Sequence, residues 1–194
     1  METKWSENVI LADAEYIDKV AFDLIVNFER MIGRRIPQAD MARWVECVAM
    51  DGRLKPGDHE TQVILVHDHL KTRMENFVPS DYKAELDGQA FKGELGEFVF
   101  SAITTEGLTT KEDLFLDTLQ LLAGEKEVKR MMVIGDERLF AQISEALRSV
   151  DDEEKRVTVF AMQPRQGRNF RCEILGYSLM AALGIRGDEI HPSM

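Results

Sequence analysis

The sequence predicts a three-layer α/β protein with a mostly parallel central sheet of five or six strands. Short apolar runs, which are typical of buried strands, alternate with longer segments whose apolar residues follow helical spacing. This alternation predicts βαβ units with right-handed crossovers and helices on both faces of the sheet. The five predicted strands are 9–13, 62–67, 97–103, 131–135 and 156–161.

The first two predicted helices lie between strands one and two. Apolar residues between positions 17 and 31 recur at helical spacing, and Gly33 suits a C-terminal cap because glycine adopts positive φ easily. Pro37 fits the first turn of a second helix that continues through Val48. These helices provide the first crossover of the sheet.

Three further helices and one insertion complete the predicted fold. Thr109 or Thr110 can cap a helix over 111–123, and another helix passes through 139–147. A C-terminal helix is expected at about 172–184. Residues 70–96 are polar and broken by glycines, so we expect an irregular insertion there.

Composition bounds the class of protein. The 194 residues, 44% hydrophobic and 30% charged, predict a single globular domain over 1–194. The chain has neither a run long enough to span a membrane nor the pattern of a secretory signal at its start. Two cysteines without metal-ligand or redox spacing favour reduced thiols and a cytoplasmic location.

The net charge of −11 disfavours a broad electrostatic grip on nucleic acid, although it leaves a local basic patch open. No G-x-G-x-x-G follows the first strand, and the chain has neither a P-loop nor a G-x-S-x-G elbow. Dinucleotide binding of the usual kind and serine-hydrolase chemistry therefore have no support in the sequence.

Acidic residues at two strand ends predict a site. Asp13 ends strand one and Asp136 follows strand four. The common strand order 3-2-1-4-5 would place these ends side by side, where open parallel sheets bind ligands. With a carboxylate from the predicted helix over 111–123, Asp113 or Asp117, they could hold Mg²⁺ or Mn²⁺, which prefer oxygen ligands and can activate water.

Structural roles are the alternative for each of these residues. Asp13 and Asp136 each precede a helix and suit an N-cap, and Asp113 in a first helical turn stabilises the helix dipole. Arg165 and Arg168 follow strand five and could hold an anionic substrate, or simply form a surface loop. The segment His67-Asp68-His69 is best interpreted as an ordinary polar loop.

Several motifs, taken in order, resemble the NYN domains of the PIN-like nuclease superfamily. The resemblance covers residues 8–162 and implies a PIN-like, Rossmann-like topology. The matching segments are Val9–Tyr16, Lys111–Asp117, Val133–Phe140 and Val157–Phe160. The whole chain is also similar to a bacterial family of unassigned function.

The resemblance implies a metal-dependent ribonuclease acting on single-stranded RNA. Asp13, Asp117 and Asp136 would be the catalytic Mg²⁺ or Mn²⁺ ligands and Asp113 an accessory ligand. Arg165 and Arg168 would then hold phosphate.

Two positions depart from the family pattern. Tyr16 stands where asparagine is usual, and Arg138 stands where a second aspartate is common, so that it could neutralise Asp136 directly. These departures and the acidic net charge favour the alternative of a catalytically degenerate interaction or dimerisation module, with a homodimer as one expected form. A receiver-like phosphoacceptor domain is a third alternative, but Gln163 stands where such a domain carries lysine.

Overall fold

The computed structural model describes residues 5–190. Seven strands form the main sheet, and two short strands pair separately. In chain order the strands are β1 (Asn8–Asp13), β2 (Ala39–Asp40), β3 (Glu60–His67), β4 (Phe77–Val78), β5 (Ala90–Gly93), β6 (Gly96–Thr104), β7 (Arg130–Ile134), β8 (Arg156–Ala161) and β9 (Arg171–Ile174).

The main sheet has the order β5-β6-β3-β1-β7-β8-β9 and is parallel except for β5. The predicted order of the five central strands is confirmed. The predicted number of strands was too low, because both edge strands went unrecognised. Strand β5 lies in the insertion expected to be irregular, and β9 occupies the start of the expected C-terminal helix. Each edge strand has only four residues, too few for a clear alternating pattern.

Helices cover both faces of this sheet, which gives three layers. The helices are α1 (Ala14–Ile32), α2 (Met41–Asp51), α3 (Lys111–Gly124), α4 (Phe140–Arg148), α5 (Leu175–Ala182) and α6 (Gly187–Ile190). Helices α1, α2 and α5 pack on one face with Ile10 and Ala12 of β1, and α3 and α4 pack on the other with Val9 and Leu11. The alternation of β1 side chains between two apolar layers explains why this strand is apolar throughout.

The chain turns away from β1 in two directions. It passes from β1 to β3 on one side and later returns to β7 on the other side of β1. The carboxyl ends of β1 and β7 therefore flank a topological switch point, which is where ligands bind in open α/β sheets.

The segment 70–96 is more ordered than predicted. Besides β4 and β5 it contains a wide helical turn over Tyr82–Leu86, and its apolar side chains join the core under α1 and α2. Its buried side chains are Met74, Phe77, Tyr82, Leu86 and Leu95. Their irregular spacing gave no periodic signal, although the insertion is part of the hydrophobic core.

Helix ends follow the predicted chemistry in two places. Gly33 adopts φ 72° after α1 and its N–H donates to the carbonyl of Glu29, which confirms the predicted glycine cap. The side chain of Thr110 caps α3 by accepting from the N–H of Asp113 at 3.1 Å. Between residues 5 and 190, no helix combines the length and the apolar composition that crossing a membrane requires.

A buried lysine fixes the other end of α3. Lys155 is 6% exposed, and its Nζ donates to the carbonyls of Leu122, Ala123 and Glu125 at 2.7–3.0 Å. Burial lowers the pKa of this lysine. A cation suits the negative end of a helix dipole, so Lys155 anchors the helix whose first residue enters the candidate site.

Candidate functional site

The candidate site lies at the carboxyl ends of β1 and β7. Asp13 is the last residue of β1, is fully buried and accepts from the N–H of Tyr16 at 3.0 Å, so it caps α1. Ala12 pairs with Ile134, and Asp136 follows two residues later. The sheet thus brings Asp13 and Asp136 to one switch point, as the sequence predicted.

Lys111 occupies the space in front of Asp13. Its Nζ lies 3.1 Å from Oδ2 of Asp13, 3.6 Å from Oε2 of Glu15 and 3.9 Å from Oε1 of Glu112. Only 12% of the Lys111 side chain is exposed. Within residues 5–190, no donor meets full hydrogen-bond geometry at Oδ2 of Asp13, so its contact with the Lys111 ammonium is an ion pair.

Burial and charge act against each other within this pair. Burial raises the pKa of Asp13, while Lys111 and the N–H of Tyr16 limit the rise. Burial alone would lower the pKa of Lys111, but the carboxylates of Asp13 and Glu15 outweigh it and raise that pKa above its ordinary value. Lys111 is therefore an ammonium at neutral pH and cannot serve as a free amine nucleophile.

Glu15 connects this ion cluster to the neighbouring strand. Its Oε2 accepts from the N–H of Asp68 at 2.8 Å, just beyond the end of β3. His67 ends β3, stacks on Tyr82 with ring centroids 3.8 Å apart, and places Nδ1 3.0 Å and 2.9 Å from the carbonyls of Asp68 and Lys71. Both partners are acceptors, so we assign the proton to Nδ1. His67 thus fixes a loop, consistent with the interpretation of this segment as an ordinary polar loop.

Asp136 is paired within its own turn. It caps a single helical turn over Glu137–Leu139, and Oδ1 accepts from the N–H of Arg138 at 2.9 Å. The Arg138 guanidinium donates to both carboxylate oxygens at 2.9–3.2 Å. Although burial acts in the opposite direction, these hydrogen bonds lower the pKa of Asp136. The expectation that Arg138 neutralises Asp136 is confirmed.

Replacing Arg138 by alanine should therefore raise the pKa of Asp136 toward its ordinary value. The folded-state pKa is depressed, so the pairing stabilises the fold above pH about 3.8 and this contribution is lost as the pH falls through the folded-state pKa. Because 79% of the Arg138 side chain is exposed, we expect the replacement to change the free energy of unfolding little. Carboxyl carbon NMR titration of both proteins measures the shift, and an unchanged pKa would contradict the pairing.

Asp113 and Asp117 lie on exposed positions of α3. Neither carboxylate accepts a hydrogen bond or forms an ion pair in the part of the chain that the structure describes. Across residues 5–190, no group of three or more His, Cys, Asp or Glu side chains is arranged to hold a metal ion. Of the four predicted metal ligands, the structure thus brings only Asp13 and Asp136 to the switch point.

The donor set does not fit Mg²⁺ or Mn²⁺ as it stands. Such an ion needs several oxygens at about 2.0–2.1 Å, with near-octahedral geometry for Mg²⁺. At Asp13 the cation position is taken by an ammonium, and at Asp136 both oxygens are bound by a guanidinium.

Glu137 and Arg165 extend the site toward the carboxyl end of β8. Oε1 of Glu137 accepts from the N–H of Met162 at 2.7 Å, and Oε2 lies 4.0 Å from Arg165. Arg165 also lies over the ring of Phe140, 5.3 Å from its centroid. Arg168 is exposed, and its side chain makes no hydrogen bond or ion pair within residues 5–190. Of the two predicted anion-binding arginines, only Arg165 contacts Glu137 within residues 5–190.

Tyr16 lies within the electrostatic influence of Asp13, Asp136 and Glu137. Burial raises the pKa of its phenol, and the charges of Glu137, Asp136 and Asp13 raise it further. The hydroxyl therefore stays protonated at neutral pH. The position where the NYN domains that the sequence resembles carry asparagine is thus occupied by a neutral, partly buried phenol.

Sequence reasoning missed Lys111, Glu15 and Glu137. A signal existed for Lys111, because a cation in the first turn of a helix opposes the helix dipole and needs a local reason. The reason is Asp13, which lies almost a hundred positions earlier in the chain. Neither glutamate had a comparable signal, because both stand in first helical turns where acids are common.

Comparison with known proteins identifies a family without an assigned activity. No curated protein and no solved structure matches the chain. A sequence family described as a family of unknown function, DUF6621, matches residues 2–190. That match spans nearly the whole chain, and the protein therefore belongs to the DUF6621 family of unknown function.

Proposed function

We propose that this protein is a catalytically degenerate PIN-like domain that works as an interaction module without metal-dependent nuclease activity. The observation that carries the proposal is the position of the Lys111 ammonium, 3.1 Å from the carboxylate of Asp13 and in front of two further acids. The central strand order and the acids at the ends of β1 and β7 support the PIN-like assignment.

A lysine ammonium neutralises carboxylates but lacks the chemistry of a divalent ion. It has three N–H donors and no vacant coordination position, so it cannot bind and acidify a water molecule. Arg138 neutralises Asp136 in the same way. The arrangement therefore stabilises a cluster of acids at the switch point without generating a nucleophile.

The competing prediction is the metal-dependent ribonuclease. It requires Lys111 and Arg138 to leave their carboxylates so that Asp13 and Asp136 can bind Mg²⁺ or Mn²⁺. The convergence of these two acids at one switch point favours it, while the two ion pairs oppose it. The two hypotheses differ in their response to metal.

We expect the purified protein to show no thermal stabilisation by Mn²⁺ or Mg²⁺. A ligand that binds only the folded state at 100 times its dissociation constant would add about 2.7 kcal/mol, equivalent to roughly 5–10 °C at this chain length. Scanning calorimetry with 0 and millimolar metal measures this shift. Calcium at the same concentration controls for nonspecific effects.

Cleavage of a fluorescent single-stranded RNA should likewise not exceed that of an Asp13→Asn, Asp136→Asn variant. A Mn²⁺-dependent cleavage that this variant lacks would contradict the proposal and support the ribonuclease. Light scattering between micromolar and submillimolar protein then tests the dimer as the simplest interaction. A mass that rises toward two chains is expected for a dimerisation module, and a constant monomer mass would exclude that form.

A further inference from the structure

Three arginines cluster at the amino ends of β7, β8 and β9, at the opposite end of the sheet from the acidic switch point. Arg130 begins β7 and pairs in register with Arg156, which begins β8. Arg171 begins β9 and pairs with Thr158, two residues after Arg156. Because side chains two residues apart on a strand share a face, all three point to the side of the sheet that α2 and α5 cover. We call these residues the arginine cluster.

Main-chain carbonyls, rather than carboxylates, hold most of the arginine cluster. Arg130 donates to the carbonyl of Gly52 at 2.6 Å, and Arg171 donates to that of Asp51 at 3.0 Å. Both carbonyls belong to the C-terminal end of α2, where the helix dipole favours cations. These contacts explain why two of the arginines lie where they do.

Arg156 makes no hydrogen bond to the C-terminal end of α2, so that contact does not explain its position. Its guanidinium donates only to the carbonyl of Glu153 at 2.6 Å, and it forms no ion pair within residues 5–190. It nevertheless stands directly beside Arg130. After burial, the charges of Arg156 and Arg171 are the next causes that lower the pKa of Arg130, so the three cations repel one another. In the arginine cluster, only Arg171 has a carboxylate partner, Glu173 at 3.2 Å.

A groove adjoins the arginine cluster. It has a volume of about 410 Å³, and its lining includes Arg156, Arg171 and Asn169. The acids Asp152 and Glu153 also line it, and Asp152 faces Lys129 at 3.9 Å. The groove is large enough for a phosphate group and the atoms attached to it.

We propose that the arginine cluster and this groove bind the phosphate group of an anionic ligand. Guanidinium groups present paired N–H donors that match phosphate oxygens, and uncompensated neighbouring cations gain from an added anion. In a chain of net charge −11, Arg130 and Arg156 lie side by side without a carboxylate partner within residues 5–190. The phosphate belongs either to a small free molecule or to a nucleic-acid backbone. The site does not depend on Lys111 or Asp13, because it lies at the opposite ends of the strands.

The test uses the full chain and two variants. The first replaces both exposed arginines, Arg156→Gln with Arg171→Gln, and leaves the more buried Arg130 and its bond to Gly52 in place. The control, Arg30→Gln, removes the same type of charge from an exposed position on α1. Circular dichroism confirms that each variant folds, and Arg156→Gln alone replaces the double variant if that one does not.

Inorganic phosphate and pyrophosphate are titrated by calorimetry at constant ionic strength, and a fluorescent twelve-nucleotide single-stranded RNA by anisotropy. We expect at least one probe to bind the wild-type chain and the control, with at least about tenfold weaker binding to the double variant, since two charge-assisted contacts are lost. Binding of the small anions alone assigns a small phosphate ligand, and binding of the RNA alone assigns a nucleic-acid backbone. Absence of binding by all three probes, or equal binding by the double variant, would overturn the proposal.

Discussion

Replacement of Lys111 by methionine is expected to lower the free energy of unfolding by about 3–5 kcal/mol, because it leaves the buried carboxylate of Asp13 without a counter-charge. Methionine has a similar length and keeps the apolar contacts of the lysine stem, so the loss reports the charge. Urea unfolding followed by circular dichroism measures it. Lys126→Met, at an exposed position near the other end of α3, is the matched control and should cost less than about 0.5 kcal/mol.

The pH dependence has a defined sign. The pKa of Lys111 is raised on folding, so its contribution is complete below about pH 10.5 and is lost as the pH rises through the folded-state value. In Lys111→Met, the pKa of Asp13 should rise further, since Lys111 now opposes the effect of burial. The variant should therefore lose more stability at pH 8 than at pH 5, where Asp13 can take up a proton.

A double-mutant cycle separates the ion pair from simple packing. Asp13→Asn combined with Lys111→Met removes both charges, so it should be more stable than the sum of the two single changes predicts. An additive result, or a loss below about 1 kcal/mol for Lys111→Met, would mean that the pair is worth no more than a surface salt bridge.

The sequence predicted the parts of the fold that periodic patterns encode. The five central strands are mostly apolar along their length, because helices cover both faces of the sheet. Their order followed from the common α/β arrangement, and with it the placement of Asp13 and Asp136 at the carboxyl ends of neighbouring strands. The four-residue edge strands β5 and β9 have no such pattern, because an edge strand has neighbours on one side only and needs less apolar surface.

The chemistry of the site was predicted only where the partners are close in sequence. Arg138 is two positions from Asp136, so its pairing could be anticipated from the resemblance to NYN domains. Lys111 belongs to α3, almost a hundred positions after Asp13, and no local sequence pattern predicts a contact over that separation. Asp113 and Asp117 were assigned by helical spacing, yet spacing fixes only their positions relative to each other and does not determine which face meets the sheet end.

The contact between Lys111 and Asp13 gives a second test of the proposed function. Removing the lysine should create metal binding that the wild-type chain lacks. Three carboxylates, those of Asp13, Glu15 and Glu112, lie within 4 Å of the Lys111 ammonium. Lys111→Ala removes the ammonium and most of the side chain, so these acids are left facing space without a cation. In the wild-type chain these acids are not arranged to hold a metal ion, but carboxylate oxygens are the ligands that Mn²⁺ and Mg²⁺ prefer, and the space left by the lysine allows them to converge on one.

We therefore expect Lys111→Ala to gain stabilisation by Mn²⁺ that the wild-type chain lacks. Saturation at 100 times the dissociation constant would restore about 2.7 kcal/mol, or roughly 5–10 °C in the midpoint of thermal unfolding. The double variant Asp13→Asn, Lys111→Ala is the control, because it keeps the space but loses the central ligand. If Mn²⁺ stabilises the wild-type chain as much as Lys111→Ala, then Lys111 does not compete with a metal, and the ribonuclease becomes the better hypothesis. If the metal stabilises neither protein, these acids do not form a metal site even without the lysine. The resemblance to metal-dependent nucleases would then be limited to the order of the strands.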